Sequence, residues 1–212
     1  MMSEFKAVFE NNLQRVDSLV AFYAQIKKTT ESNKFKDYYY TDMLRAATVF
    51  LHSSFEEYYR NVLTTWLPIR ASSDSLKNIP LPNDVGRNQM KYALADLLHM
   101  KEKTVREIFQ ESIQAFMNRS SFNSYSDVYA WGNKINLSFT GFEHQSDFDK
   151  AIQRRHQIVH QADIKVDSVQ QSLIAIKQDQ VLAWREAYRQ LVEIIDSQID
   201  NWHNTINDEE EQ

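Results

Sequence analysis

The chain of 212 residues contains no cysteine, three glycines and three prolines. Without thiols it can form no disulfide, thiolate nucleophile, zinc knuckle or iron–sulfur cluster, and it fits a reducing compartment. Three glycines cannot supply the positive-φ positions that a turn-rich β-sandwich or barrel needs. Gly-rich phosphate loops of the Rossmann or P-loop kind are set aside on the same ground. Long apolar runs are also missing. Glu4, Lys6 and Glu10 interrupt the N-terminal segment, and nothing approaches the roughly 20 consecutive apolar residues of a membrane span. A soluble, cytoplasmic protein is expected. With 42% apolar residues the chain is long enough for one real core. The expected organisation is a single helical domain over 1–207, with a loop excursion around 68–86 and an acidic tail over 208–212.

The formal charge is −5, from 24 basic and 29 acidic residues, which at face value argues against a nucleic-acid binder. The position of the charges changes that reading. Asp208, Glu209, Glu210 and Glu211 form one terminal run, most simply a solvated tail, and setting them aside leaves 25 acidic against 24 basic residues. The remaining body is close to neutral.

Apolar residues recur at helical spacing through most of the chain. Phe9, Leu13, Val16, Val20 and Tyr23 predict a first helix over about 3–28. A second, opening at the cap-competent Thr41 or Asp42 and ending near Pro68, carries Leu44, Thr48, Leu51, Phe55, Tyr58, Val62 and Trp66. Helical spacing returns over 89–100 and 104–117, where Val105, Ile108, Phe109, Ile113 and Phe116 form a stripe, and a short helix interrupted at Gly132 follows. Ser146 with Asp149 offers a cap for the helix FDKAIQRRHQIVHQAD, whose buried side is marked by Phe148, Ile152 and Val159. After an irregular stretch with SLIAI extended, a last helix capped near Asp179 carries Val181, Trp184, Tyr188, Leu191, Ile195, Ile199 and Trp202. Four long amphipathic helices can bury faces of this width only against each other. The fold class is therefore all-α, an up-and-down helical bundle with long N- and C-terminal helices and extra short ones.

The chemistry concentrates in Arg154-Arg155-His156-Gln157-Ile158-Val159-His160. On a helix, His156 and His160 project from nearly one face, and Arg155 lies about 140° from His160 around the axis. An imidazole takes or gives a proton near neutral pH, and a guanidinium holds a phosphate with paired donors. An arginine pair near a helix end also serves as a solvated face or matches the helix dipole. A metal reading competes as well. Histidines at i and i+4 have the spacing of the zinc ligands in H-E-x-x-H, and His52 could add a third ligand. Here Gln157 stands where that motif has its glutamate, and Arg154 and Arg155 would repel a cation. Two lesser signals are the cluster Lys34, Phe35, Lys36 and Tyr38 to Tyr40, a stacking surface or loop packing, and the basic knot Lys101, Lys103 and Arg106.

The R-x4-H element from Arg155 to His160, in the form RRHQIVHQAD and followed by one long terminal helix, resembles the HEPN superfamily. Within it the chain is most similar to the stand-alone bacterial RiboL-PSP and MAE-type proteins. The early segment AATVFLHSSFEEYYRNVL resembles the family's helix in which small and apolar residues precede an acidic position and an aromatic. The resemblance implies a metal-independent RNA endonuclease without cofactor, serving as a toxin or defence effector. It implies a homodimer with the active cleft at the dimer interface, and a neutralising protein partner. It further implies His160 as general acid/base and Arg155 as the phosphate contact. His156 and Arg154 follow as substrate-binding or auxiliary groups, and Glu56 as a supporting polar residue. The alternative is a non-catalytic HEPN-like RNA- or protein-binding module. Some members carry a tyrosine two residues after the motif histidine as a modification site. Here that position is Ala162, which speaks against such control.

Overall fold

The computed structural model describes residues 3–30, 38–81, 98, 100–164 and 172–210. Every regular element among them is helical: α1 (Glu4–Thr30), α2 (Tyr38–Arg70), α3 (Ser73–Leu76), α4 (Val105–Met117), α5 (Tyr125–Asn133), α6 (Gln145–Gln161) and α7 (Gln178–Glu210). Among the described residues the one β feature is an isolated antiparallel bridge between Ile164 and Leu173, at the SLIAI segment. The all-α class expected from the periodicity is thus the observed one.

The chain packs as two compact units. The first is drawn from Met1–Tyr58, Asn123–Tyr125 and Phe139–Gln212, and contains α1, most of α2, α6 and α7. Here α7 packs against both α1 and α6. Phe9, Leu13 and Val16 of α1, Leu44, Leu51 and Phe55 of α2, Phe148 and Ile152 of α6, and Val181, Leu191 and Ile195 of α7 are all buried. At the centre the Phe55 ring lies 5.2 Å from Phe148 and 5.3 Å from Tyr188, and Phe148 lies 4.5 Å from Tyr188. Such aromatic pairs add about 0.5–1.5 kcal/mol each beyond area burial. They tie α2, α6 and α7 into one knot. Arg185 of α7 clasps Asp17 of α1 with two bonds, of 3.1 and 2.8 Å.

The second unit is drawn from Tyr59–Phe122 and Ser126–Ser138. Its buried Tyr59 donates its hydroxyl to the carbonyl of Val128 at 2.6 Å, and Arg60 Nε donates to the carbonyl of Met117 at 2.9 Å. Thr104 and Glu107 form a reciprocal capping box at the start of α4, with the Glu107 carboxyl held below the usual range by the Thr104 backbone and hydroxyl. Of the expected stripe on α4, Ile113 is buried, but Val105 is 84% exposed and Phe109 is also exposed.

Several boundaries differ from the periodicity. α2 is already helical at Tyr38, ahead of Thr41 and Asp42, and it passes Pro68 to end at Arg70. A proline in the last turn removes one amide donor without needing a further turn beyond it. Ser146 is not the cap of α6, which begins one residue earlier, at Gln145. Its expected partner Asp149 instead accepts the Tyr125 amide at 2.8 Å. Val159 does not belong to the buried side of α6, being 46% exposed. α7 runs on through Asp208 and Glu209 to Glu210, so most of the acidic run continues the helix. Most of the helix expected over 89–100, and Lys34, Phe35 and Lys36, lie outside the described residues.

Candidate active site

His52, Glu56, Arg154, Arg155, His156 and His160 all fall in the first unit, and α6 carries four of them. The helix ends with two successive non-glycine residues in the left-handed region, Ala162 at φ 49° and Asp163 at φ 58°. This conformation costs an alanine or aspartate of order 1–3 kcal/mol and persists only where surrounding contacts impose it. Those contacts are present. The Asp163 amide closes the helix end on the Gln157 carbonyl at 3.2 Å, and its carbonyl accepts the Ile174 amide at 2.8 Å. Its carboxylate Oδ2 accepts from Arg45 Nε at 2.6 Å and from Arg154 Nη2 at 2.8 Å.

The adjacent arginines therefore part company. About 100° of helical rotation sends Arg154 inward, where it is buried with Arg45 and Asp163 and also donates to the carbonyls of Ile174 and Ala175. Burial, and the Arg45 charge beside it, lower the Arg154 pKa, against the opposing pull of Asp163. Arg154 thus lies among buried partners and fastens the loop after α6. Arg155 is half-buried and lines an open pocket of about 350 Å³, together with His156, Gln157 and Asn123. Its Nε is buried without a hydrogen-bond partner among the described residues. His156 and His160 are both exposed, with ring centroids 4.5 Å apart. Arg155 and His156 thus share the pocket, while His160 stands at the exposed end of the same helix.

Beneath Arg155 lies a buried polar group. His52 of α2 is 1% exposed, and its Nδ1 lies 2.9 Å from the hydroxyl of the fully buried Tyr188. Its Nε2 lies 3.7 Å from Glu56 Oε1. Burial first, and the Arg155 charge second, lower the His52 pKa to about 3. The imidazole is therefore neutral, with Nδ1 in a hydrogen bond with the Tyr188 hydroxyl and Nε2 near the Glu56 carboxylate but beyond hydrogen-bond distance. Burial, followed by Glu56, pushes the Tyr188 phenol up, and Arg155 acts in the opposite sense. Arg155 is thus within electrostatic reach of both His52 and Tyr188. Glu56 lies beside the buried His52 and does not line the pocket.

A pH dependence of stability follows. Between pH 6.5 and about 3 the unfolded chain takes up a proton at His52 that the folded chain refuses. The stability this neutral histidine permits is complete above pH 6.5 and is lost as the pH falls. The slope approaches about 1.4 kcal/mol per pH unit. His52→Gln retains a hydrogen-bonding group for Tyr188 and does not titrate. Thermal unfolding at pH 7.5 and pH 5 should show an acid loss smaller in His52→Gln by about 2 kcal/mol; an equal loss in both proteins refutes the assignment.

Among the described residues no group of three or more His, Asp or Glu side chains is placed to hold a metal ion. The three-histidine set does not assemble, because His52 is engaged with Tyr188 and Glu56 while His156 and His160 are exposed. The basic knot is partly neutralised, with Lys103 on Glu111 and Lys101 on Glu102. Tyr188 was read only as part of the apolar stripe of the last helix, and Arg45 and Asp163 were not singled out as site residues from the sequence. Two signals pointed to them: Asp163 closes the RRHQIVHQAD run, and Arg45 stands at helical spacing with Thr48 and His52 on an otherwise apolar face. No helix among the described residues is long and apolar enough to cross a membrane.

The family model described as RiboL-PSP-HEPN matches residues 10–201. No curated protein and no solved structure matches the chain. The matched span takes in most of α1 and α7 and everything between them, including the helix that carries Arg155 and His160. The chain belongs to the RiboL-PSP-HEPN family.

Proposed function

We propose that this protein is a metal-independent RNA endonuclease. The observation that carries the reading is the placement of the R-x4-H pair. Arg155 borders an open pocket that it shares with His156, and the His156 ring lies 4.5 Å from the exposed ring of His160. RNA suits such a site because its 2′-hydroxyl is a built-in nucleophile. The 2′-oxygen bonds to the adjacent phosphorus as the bond from phosphorus to the 5′-oxygen breaks, giving a 2′,3′-cyclic phosphate and a free 5′-hydroxyl. That step needs one proton removed, one proton delivered and the phosphorane charge offset. His160 moves the proton and Arg155 holds the phosphate, with its buried Nε turned away from bulk water. His156 orients the substrate beside them. Glu56 acts through His52, as a support beneath the arginine.

Within one chain Arg155 faces the pocket and His160 stands beyond its lining, so the cleft is completed by a second copy that brings its own α6 alongside. Val159, exposed beside His160, supplies apolar surface for that contact. The biological reading is a cytoplasmic toxin or defence effector held in check by a protein partner, and it rests on the family alone.

The test is cleavage of a mixed RNA substrate by the purified protein in EDTA, with product ends examined. Undiminished cleavage leaving 2′,3′-cyclic phosphate ends is expected. Cleavage that stops in chelator and returns with a divalent cation would overturn the metal-free step. RNA or protein binding with no cleavage in any buffer would assign the chain to the non-catalytic RNA- or protein-binding class.

A further inference from the structure

The outer face of α6 carries more than histidines. Taking Gln153 as origin and about 100° per residue, Gln157 falls near 40°, Gln161 near 80°, His160 near −20° and His156 near −60°. Two imidazoles and three carboxamides thus form one continuous polar face. All three glutamines line the pocket of Arg155 and His156, and Asn123 adds a fourth carboxamide from outside the helix. No hydrogen bond ties any of the three glutamine side chains to another described residue. The wall of this pocket contains no carboxylate and no lysine.

A phosphate calls for cations or backbone amides, and one arginine answers it here. Four neutral carboxamides do not add to phosphate affinity, since each presents a donor and an acceptor side by side. That paired pattern matches a nucleobase edge. Among the bases, adenine offers an amino donor beside a ring-nitrogen acceptor, the pairing that Asn and Gln make in bidentate fashion. On the Hoogsteen edge this pairing is adenine's alone, since guanine presents two acceptors there and the pyrimidines no ring nitrogen. Single-stranded RNA exposes these edges, and its bases stack on aromatic or histidine rings. His156, exposed at the pocket, supplies such a ring.

We propose that the carboxamides of Gln153, Gln157 and Gln161, with Asn123, form a base-reading subsite that selects an adenine next to the phosphate held by Arg155. The proposal rests on the RNA reading above. Gln157 is the central contact, since it lies in the middle of the row and is half-buried.

Fluorescence anisotropy of the full chain measures the affinity for ten-nucleotide uridine RNAs carrying one central A, G, C or U. 2′-Deoxy-2′-fluoro sugars at every position remove each nucleophile and prevent cleavage. Wild-type protein should bind the adenine oligonucleotide tighter than the other three by roughly 5- to 150-fold, the range of one bidentate base contact. Gln157→Leu, and independently Gln153→Leu at an exposed position, should reduce that preference several-fold, read in each protein as the ratio of adenine to all-uridine affinity. Equal affinity for all four oligonucleotides, no binding to any, or a preference that survives both substitutions overturns the proposal. The same oligonucleotides with ordinary ribose, in EDTA, report cleavage separately. Cleavage without base preference removes the subsite and leaves the nuclease. Preference without cleavage removes the nuclease and leaves the subsite.

Discussion

His160→Ala is expected to lose RNA cleavage by about 10²–10⁴-fold, the contribution of a positioned proton-transfer group. Helical content and self-association should be unchanged. The side chain is exposed on the last turn of α6, so its truncation removes no core packing. Arg155→Ala should abolish cleavage as well, with an added signature. Arg155 is half-buried above His52, and its charge contributes to keeping that imidazole neutral. Its removal should therefore also soften the acid sensitivity assigned to His52. Arg155→Lys keeps the charge and loses the paired donors of the guanidinium, so its cleavage should fall between wild type and alanine. Rates measured on purified proteins of matched circular dichroism decide the matter. Wild-type cleavage in both alanine variants would strip the pair of its assigned roles.

The second large effect is on stability. Asp163→Ala should destabilise the fold by about 3–5 kcal/mol, because it leaves the Arg45 and Arg154 guanidiniums buried side by side without their shared anion. For a chain of this size that corresponds to a fall in melting temperature on the order of 10 °C. Asp163→Asn preserves the shape and one acceptor, so its loss should be smaller. The carboxylate also offsets the strain of two consecutive left-handed residues, which raises the cost of removing it. A melting temperature within about 2 °C of wild type for Asp163→Ala would show that the arginines find other partners, and the clamp would be dismissed.

The two predictions separate what adjacent residues do. Arg154 and Arg155 are indistinguishable in the sequence, and one step of helix divides them into a buried fastener and a pocket residue. The clamp holds the loop after α6 to α2, and so fixes the last turn on which His160 sits.

Helix type and the motif were legible in the sequence because both are local. Leu44, Leu51, Phe55, Val62 and Trp66 repeat at the period of one helix face, and all five are buried. The same holds for Val181, Tyr188, Leu191, Ile195 and Ile199 on α7. Arg155, His156 and His160 were readable as a unit because six consecutive residues span them. Val105, Val159 and the cap at Ser146 were misread for the converse reason. Apolar character and capping competence are permissions, and whether a neighbour uses them depends on residues far along the chain. Sequence alone therefore determined an all-helical chain, without thiols and with one Arg/His helix as its chemical feature. Tertiary structure alone decided that Asp163 lies between Arg45 and Arg154, that His52 is neutral against Tyr188, and that three glutamines share the pocket of Arg155. Arg45 and Asp163 stand 118 residues apart and His52 and Tyr188 136 apart, and no local periodicity encodes partner choice over such separations.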